Sequence, residues 1–254
     1  MKLPFEIDLK NKVAVITGGG GILCSDFSKA IAQCGAKTAV LDLNEEAAKK
    51  VAEEINQNGG TAIGISANVL QKESLIEAKN KINNQFGQVD ILINGAGGNN
   101  PKGTTSKDYY EAGDEEKEDV KSFFDLDPQG IEFVFNLNFL GTLLPTQVFA
   151  PDLIKSDNAC ILNISSMNAF CPLTRIPAYS GAKAAISNFT QWLAVHFAKA
   201  GIRVNAIAPG FFLTNQNRNL LLDKEGNYTE RSKKIINNTP MGRFGETEEL
   251  LGTL

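Results

Sequence analysis

The stretch Lys12-Val-Ala-Val-Ile-Thr-Gly-Gly-Gly-Gly21 decides the fold. A short apolar run flanked by polar residues and closed by glycine suits a buried parallel strand. Gly18 to Gly21 lead into a helical stretch that contains Leu23, runs to about Gln33 and stops at Gly35. Strand, glycine turn and helix together aim backbone N–H groups and a helix N-terminus at a phosphate. The next apolar run, residues 37–42, ends on Asp42, about where a ribose-binding carboxylate belongs.

The same pattern continues along the chain. Residues 45–58 read as an amphipathic helix with Ala48, Val51, Ala52 and Ile55 on one side, ended by Asn58-Gly59-Gly60. Strands are expected over 61–66, 89–94, 159–164 and 203–208. Helices are expected over 71–86, from about 133 to 154, and from Tyr179 to about 199. Regular alternation of strand and helix specifies a parallel sheet with helices on both faces. The expected fold is thus a Rossmann-type doubly wound α/β sheet in one domain spanning 1–254. Such sheets bind ligands at the carboxyl ends of their strands. Thr17, Asp42, Asn68, Asn94, Ser166 and Pro209 all fall at or just beyond those ends.

Ser166 to Lys183 carries the chemistry. Tyr179 and Lys183 lie one helical turn apart, so on a helix they point the same way. A phenol has an ordinary pKa of about 10. An ammonium about 4 Å away would favour the phenolate by roughly 4 kcal/mol at an effective dielectric near 20, or about three pKa units. Tyr179 would then be a usable acid or base near neutrality. Ser166 follows a strand, and a loop and helix could bring its hydroxyl back beside the phenol.

Composition excludes several classes. The 254 residues carry 25 basic and 29 acidic side chains, a formal net charge of -4, with no long basic stretch. This argues against nucleic acid or an anionic membrane as partner. No apolar run approaches the ~18 residues that cross a bilayer, and residues 1–6 lack a signal-peptide core, so the chain reads as cytoplasmic. Cys24, Cys34, Cys160 and Cys171 have no metal-ligand spacing and read as free core or near-core thiols. With His196 the only histidine, no zinc site can be built and no metal is expected. His196 itself reads as a packed or surface helix residue.

Residues 99–129 break the alternation and read as an insertion. Its acidic block, 114–119, is expected to be a solvated surface, and Asp127-Pro128 to open a helix. Asn99, Asn100 and Lys102, nearest the strand exit, are better placed to meet a ligand. Asn138 lies in an apolar helical stretch, so its amide must brace backbone carbonyls or hold an ordered water. In the final segment, 215–254, Thr247 reads as a helix N-cap with Glu248 and Glu249 in the first turn.

Taken in order, these pieces resemble the short-chain dehydrogenase/reductase family over nearly the whole chain. The matching residues are Thr17-Gly18, Asp42, Asn94-Gly-Ala-Gly97, Asn138, Ser166, Tyr179-x-x-x-Lys183, Asn205, and Pro209-Gly210 with Thr214. The resemblance implies Tyr179 as proton donor or acceptor, with Lys183 lowering its pKa and bonding the nicotinamide ribose. It implies that Ser166 holds the substrate oxygen and Asn138 a relay water. It implies a dinucleotide held by Gly18, Gly21, Leu23, Asp42, Asn68, Val69, Asn94, Ala96, Gly97, Pro209, Gly210, Phe212 and Thr214, with Tyr179 and Lys183. Asp42 points to NAD, since a carboxylate would repel a 2′-phosphate and Leu43 offers no positive charge.

Within the family, residues 165–170, the insertion and residues 189–196 look most like sugar-acid reductases. Those interconverting D-fructuronate and D-mannonate come first, with gluconate 5-dehydrogenases beside them. A carboxylate substrate needs a cation. Arg175 is the leading candidate, with Lys102 and Arg218 as others, and Asn168, Asn99 and Ser166 complete the expected substrate contacts. The resemblance also implies a homo-oligomer, dimer or tetramer, and a seventh strand and tail that the sequence stops before.

Two positions depart from the family pattern. Ile22 and Cys24 stand where its turn places glycines, and Asn68 stands where aspartate is common. The glycines at 19 to 21 would compensate, or the helix would sit farther from the phosphates. This turn would also suit a non-enzymatic NAD(H) sensor or scaffold. Against that, all four catalytic residues remain.

Overall fold

The computed structural model describes residues 7–214 and 217–254. The reading of residues 1–6 and the start of the final segment at Asn215 lie outside the described residues. Six strands, β1 (Val13–Thr17), β2 (Lys37–Asp42), β3 (Thr61–Ser66), β4 (Ile91–Asn94), β5 (Cys160–Ile164) and β6 (Arg203–Ile207), form one sheet. All are parallel, in the order β3-β2-β1-β4-β5-β6. The order reverses between β1 and β4, which opens a crevice at their carboxyl ends.

Side-chain alternation sorts the core into two faces. Ala14, Ile16, Ile93, Leu162 and Ile207 pack beneath α1 (Ile22–Gln33) with Cys24, Phe27 and Ile31. On the same side α2 (Glu45–Gln57) buries Ala48, Val51 and Ile55 against Val40 and Ala62. The opposite face carries Val13, Val15, Leu41, Leu92 and Ile161 under α3 (Lys72–Phe86), α5 (Gly141–Leu153) and α6 (Pro177–His196). Both faces of the sheet are thus covered, as the sequence requires.

The insertion is built of short turns, Pro101–Gly103, Asp114–Glu116 and Phe123–Asp125. Its acidic block, 114–119, is the exposed surface expected at every position but the first. Asp114 is buried, accepting from Lys107 Nζ at 2.9 Å, Lys117 Nζ at 2.8 Å and the Glu111 N–H at 2.9 Å. Sequence spacing shows the charges but not that three donors fold onto one carboxylate.

Asp127 caps α4 (Pro128–Phe135) as expected, its carboxylate accepting the Gln129 N–H at 2.8 Å. A π turn, Asn136–Leu140, joins α4 to α5 without a break. The resulting 26-residue helix is long and apolar enough to cross a bilayer, with a mean hydropathy of 1.3. This corrects the expectation that no such stretch exists, because scattered polar residues hid it. Half of its apolar window is buried, and Val148, Phe149 and Leu153 pack in the core, so it serves here as a core helix.

Two smaller expectations also fail. Residues 247–250 form one 3₁₀ turn in which Glu246, not Thr247, is the N-cap, its N–H donating to the Glu249 carboxylate at 2.8 Å. The Thr247 hydroxyl instead donates to Asp26 on α1. Cys24 is buried and Cys34 and Cys160 are half-buried, but Cys171 is exposed. It follows Phe170 in a surface loop that no periodicity marks.

Candidate active site

Parallel register brings the strand ends level. Thr17 pairs with Leu41 and Asn94, and Asn94 with Asn163. The glycine turn leaves β1 with Gly18 at φ +65°, a conformation that favours glycine. A Cβ there would come within 2.9 Å of the Ala96 backbone. The Thr17 hydroxyl accepts the Gly95 N–H at 3.1 Å and the Ala96 N–H at 3.3 Å, fixing the β4 exit against the turn.

Asp42 closes the turn from the other side. One oxygen accepts the Gly20 N–H at 3.0 Å and the other the Asn44 N–H at 2.9 Å. A Cβ on Gly20 would lie 3.1 Å from that carboxylate, so the glycines form a cradle that side chains would fill. Gly21 caps α1, and Leu23 packs at its first turn. The arrangement fits a dinucleotide: backbone at the pyrophosphate position, and a carboxylate oriented by two N–H groups with lone pairs left for ribose hydroxyls.

The departure at Cys24 has a structural answer. A Cβ built on Gly95 would lie 2.1 Å from Cys24 Sγ. The thiol therefore occupies the space that a side chain at 95 would need. Helix α1 keeps its close approach because the missing volume has moved from position 24 to position 95. Neither of the two explanations offered from sequence is needed for this contact.

Beyond the turn, the Asn68 side-chain Oδ1 accepts the Leu70 N–H at 2.9 Å, and Val69 is buried against Gly141. Asn94 is buried and donates to Thr146 Oγ1 at 3.0 Å and to Asn163 Oδ1 at 2.9 Å, while Asn163 donates to Thr190 Oγ1 at 2.9 Å. This polar chain ties β4 and β5 to α5 and α6, and only its first member was singled out in the sequence. The Pro209 carbonyl accepts the Met167 N–H at 3.0 Å, so Gly210 lies beside the Ser166 loop. Phe212 is buried, and the Thr214 N–H donates to Asn217 Oδ1 at 2.8 Å.

Asn138 is fully buried in the π turn, and its amide braces backbone on every side. Its Nδ2 donates to the Gly98 and Val134 carbonyls at 2.7 Å each, and its Oδ1 accepts the Gly98 N–H at 3.3 Å. The wider turn lets a side chain within a helix reach the backbone carbonyl four residues earlier and the β4 exit together. A Cβ on Gly97 would lie 2.7 Å from Asn138 Oδ1 and 3.2 Å from Lys183 Nζ. Gly97 thus lets the β4 exit approach both Asn138 and Lys183 closely.

Tyr179 and Lys183 both sit on α6, with Nζ 5.6 Å from the tyrosine ring centroid. Lys183 is buried and donates to the Ile164 carbonyl at 2.7 Å. Burial pushes its pKa down to about 8. Ser166 lies two residues beyond β5, its Oγ accepts the Asn168 N–H at 3.2 Å, and it lies beside the phenol. The phenol itself is held above its ordinary value by burial, with the Ser166 hydroxyl pulling it partly back. This corrects the expected three-unit depression by Lys183: desolvation of the ring dominates. At neutral pH Tyr179 is thus a protonated acid.

The expected substrate contacts divide. Asn168 is buried with its Oδ1 unpartnered, close to Ser166. Asn99 is exposed and donates to Thr104 Oγ1 at 3.0 Å. Lys102 is paired with Asp127 at 3.3 Å, and Arg218 is exposed on α7 (Arg218–Leu221). Arg175 Nε donates to Asp108 Oδ1 at 2.6 Å, so it is not the unpaired cation expected. Asp108 is 67 residues away in sequence, and nothing local marks it. His196 is exposed and stacks on Trp192, ring centroids 4.5 Å apart, far from any base role. Among the described residues no cluster of potential metal ligands occurs.

Strand order, glycine cradle and the Ser166–Tyr179–Lys183 group define an oxidoreductase of the short-chain type. Residues 12–225 match the short chain dehydrogenase family, and the chain belongs to it.

A crystal structure from Haemophilus influenzae with bound NAD, provisionally named a D-mannonate oxidoreductase, is 62% identical with a TM-score of 0.92. The match covers 97% of this chain and 87% of that one. "Uncharacterized oxidoreductase UxuB" of Bacillus subtilis is 52% identical over 99% of this chain and 89% of its own. The 7alpha-hydroxysteroid dehydrogenase of Escherichia coli K12 is 29% identical over 96% of this chain and 86% of its own.

Proposed function

We propose that the chain is an NAD-dependent reductase of a keto sugar acid, interconverting D-fructuronate and D-mannonate. The observation that carries this reading is the 62% identity and 0.92 TM-score to the NAD-bound structure provisionally named a D-mannonate oxidoreductase. Asp42 supports NAD over its 2′-phosphorylated form, because its carboxylate would face the phosphate. The steroid dehydrogenase is a far more distant relative.

Bound nicotinamide would supply the hydride. Everything else falls to the residues on the page. Tyr179 gives its proton to the carbonyl oxygen as the carbon is reduced, and recovers one from solvent. Ser166 holds that oxygen in place, and Asn168 offers its unpaired amide oxygen to a substrate hydroxyl. Lys183, fixed to the Ile164 carbonyl, keeps its remaining N–H donors for the ribose and stabilises charge on the phenol oxygen.

The reading includes one catalytic domain, with residues 99–129 as its insertion, acting in the cytoplasm. Four unpaired thiols agree with a reducing compartment. It also includes a dimer or tetramer, supported by the exposed apolar side chains Phe133, Phe135, Leu140, Trp192 and Val195. Neither a membrane nor a nucleic acid enters it.

A panel of keto sugar acids, steroids and acyl thioesters, followed at the nicotinamide absorbance, tests the reaction. Turnover of steroids or thioesters with none on uronates would sink it. NADH binding with no turnover on any carbonyl would favour a sensor.

A further inference from the structure

Three segments that leave the carboxyl ends of β4, β5 and β6 meet at one point. Asp108 comes from the insertion after β4. Arg175 comes from the loop between Ser166 and Tyr179, and Lys234 from α8 (Glu230–Asn237), which lies beyond β6. Arg175 Nε donates to one Asp108 oxygen at 2.6 Å and Lys234 Nζ to the other. The Thr105 N–H donates to the Arg175 carbonyl at 3.0 Å, and Lys234 sits 5.8 Å from the Tyr109 ring centroid, so the junction is fixed on several sides.

Arg231 lies one turn before Lys234 on the same face of α8. It is half-buried, yet among the described residues its guanidinium has no hydrogen-bond or ion-pair partner. The neighbouring Glu230 carboxylate is taken by Lys233 at 2.6 Å. Burial and the like charge of Arg175 lower the proton affinity of Arg231, and Asp108 raises it, so both groups lie within its electrostatic reach. Arg175 and Lys234 thus take both oxygens of the Asp108 carboxylate, and the Arg231 charge is left without a partner. A half-buried, unpaired arginine beside a second arginine is costly unless an anion joins it.

We propose that Arg231, with Arg175 beside it, is the site that takes the carboxylate of the substrate, Asp108 holding the cations in position. This inference rests on the keto-sugar-acid reading and names the residues that would recognise its anionic end. A planar guanidinium can grip a carboxylate with two parallel N–H donors, which an ammonium cannot. Only three residues separate Arg175 from Tyr179, which keeps the proposed anchor on the same loop and helix start as the phenol.

The test uses the holoenzyme with NADH and D-fructuronate, and Arg231→Gln and Arg231→Lys variants checked for an unchanged melting temperature. Removing one member of a charged pair commonly costs ~30- to 300-fold in affinity. Arg231→Gln is expected to raise KM by that factor while kcat moves less than about threefold, with partial recovery in Arg231→Lys. Calorimetry of the enzyme–NAD complex with D-mannonate should show the same loss. Equal KM values for wild type and Arg231→Gln, or a loss confined to kcat, would overturn the site. If wild type reduced no keto sugar acid but bound D-mannonate in an Arg231-dependent way, the proposed reaction would fall and the anion site would stand. Absence of Arg231-dependent binding in that case would remove both.

Discussion

The turn around Gly18 and the junction around Asp108 solve the same problem, placing an anion at a strand end, by opposite means. The turn uses backbone: N–H groups, a helix start and side chains trimmed to hydrogen. Its partners are near neighbours in the parallel register, and its geometry is stiff. The Asp108 junction uses long charged side chains from segments 67 and 126 residues apart in sequence. Backbone sites suit a constant ligand such as a dinucleotide. Side-chain sites on loops can be re-specified without touching the sheet.

If that division holds, damage should be severe at the shared catalytic group. Ser166→Ala is expected to cut kcat about 100-fold or more in either direction of reaction, measured in steady state with the cofactor saturating. A change below about threefold would remove Ser166 from the oxygen-holding role.

The turn should respond next. Asp42→Ala should lower kcat/KM with NADH by about 10- to 100-fold and narrow the preference over NADPH, since the repelling carboxylate is gone. Retention of full NADH preference would detach Asp42 from the ribose.

The compensating pair offers a sharper probe of backbone packing. Gly95→Ala forces a methyl into Cys24 Sγ and should destabilise the fold by about 1–3 kcal/mol in denaturant unfolding. Adding Cys24→Gly should restore most of that loss. Additive losses in the double variant would show the two positions to be uncoupled.

The smallest effects concern protons. Since burial raises Tyr179, reduction should stay flat through neutral pH, whereas oxidation, which needs the phenolate, should climb as pH rises. Lys183 is lowered from 10.5 to about 8, so the folded state binds fewer protons than the unfolded one between those values. Its burial penalty is therefore full below pH 8 and fades as pH approaches 10.5. Wild type should gain stability relative to Lys183→Met over that window, and a constant difference would contradict the shift.

Much of the first region was legible in the sequence. Glycines after a strand, Asp42 at the next strand end and Tyr179 one turn from Lys183 are local patterns, and the structure brings them to one edge of the sheet. The raised tyrosine pKa was not legible, because spacing gives proximity but not desolvation. Nor was the exchange of volume between Cys24 and Gly95, which lie on different elements. In the second region almost nothing was legible. Arg175 was picked for its position, but Asp108 and Arg231 carry no local signature, and the buried Asp114 looked like one charge among many.

The most direct test of the central claim is NADH consumption with D-fructuronate by wild type and Tyr179→Phe. The account predicts steady turnover by the wild type and a loss of about 10³-fold or more in the variant, with NADH affinity held within about tenfold. Full turnover by Tyr179→Phe, or no wild-type turnover of D-fructuronate alongside rapid turnover of a steroid, would contradict it.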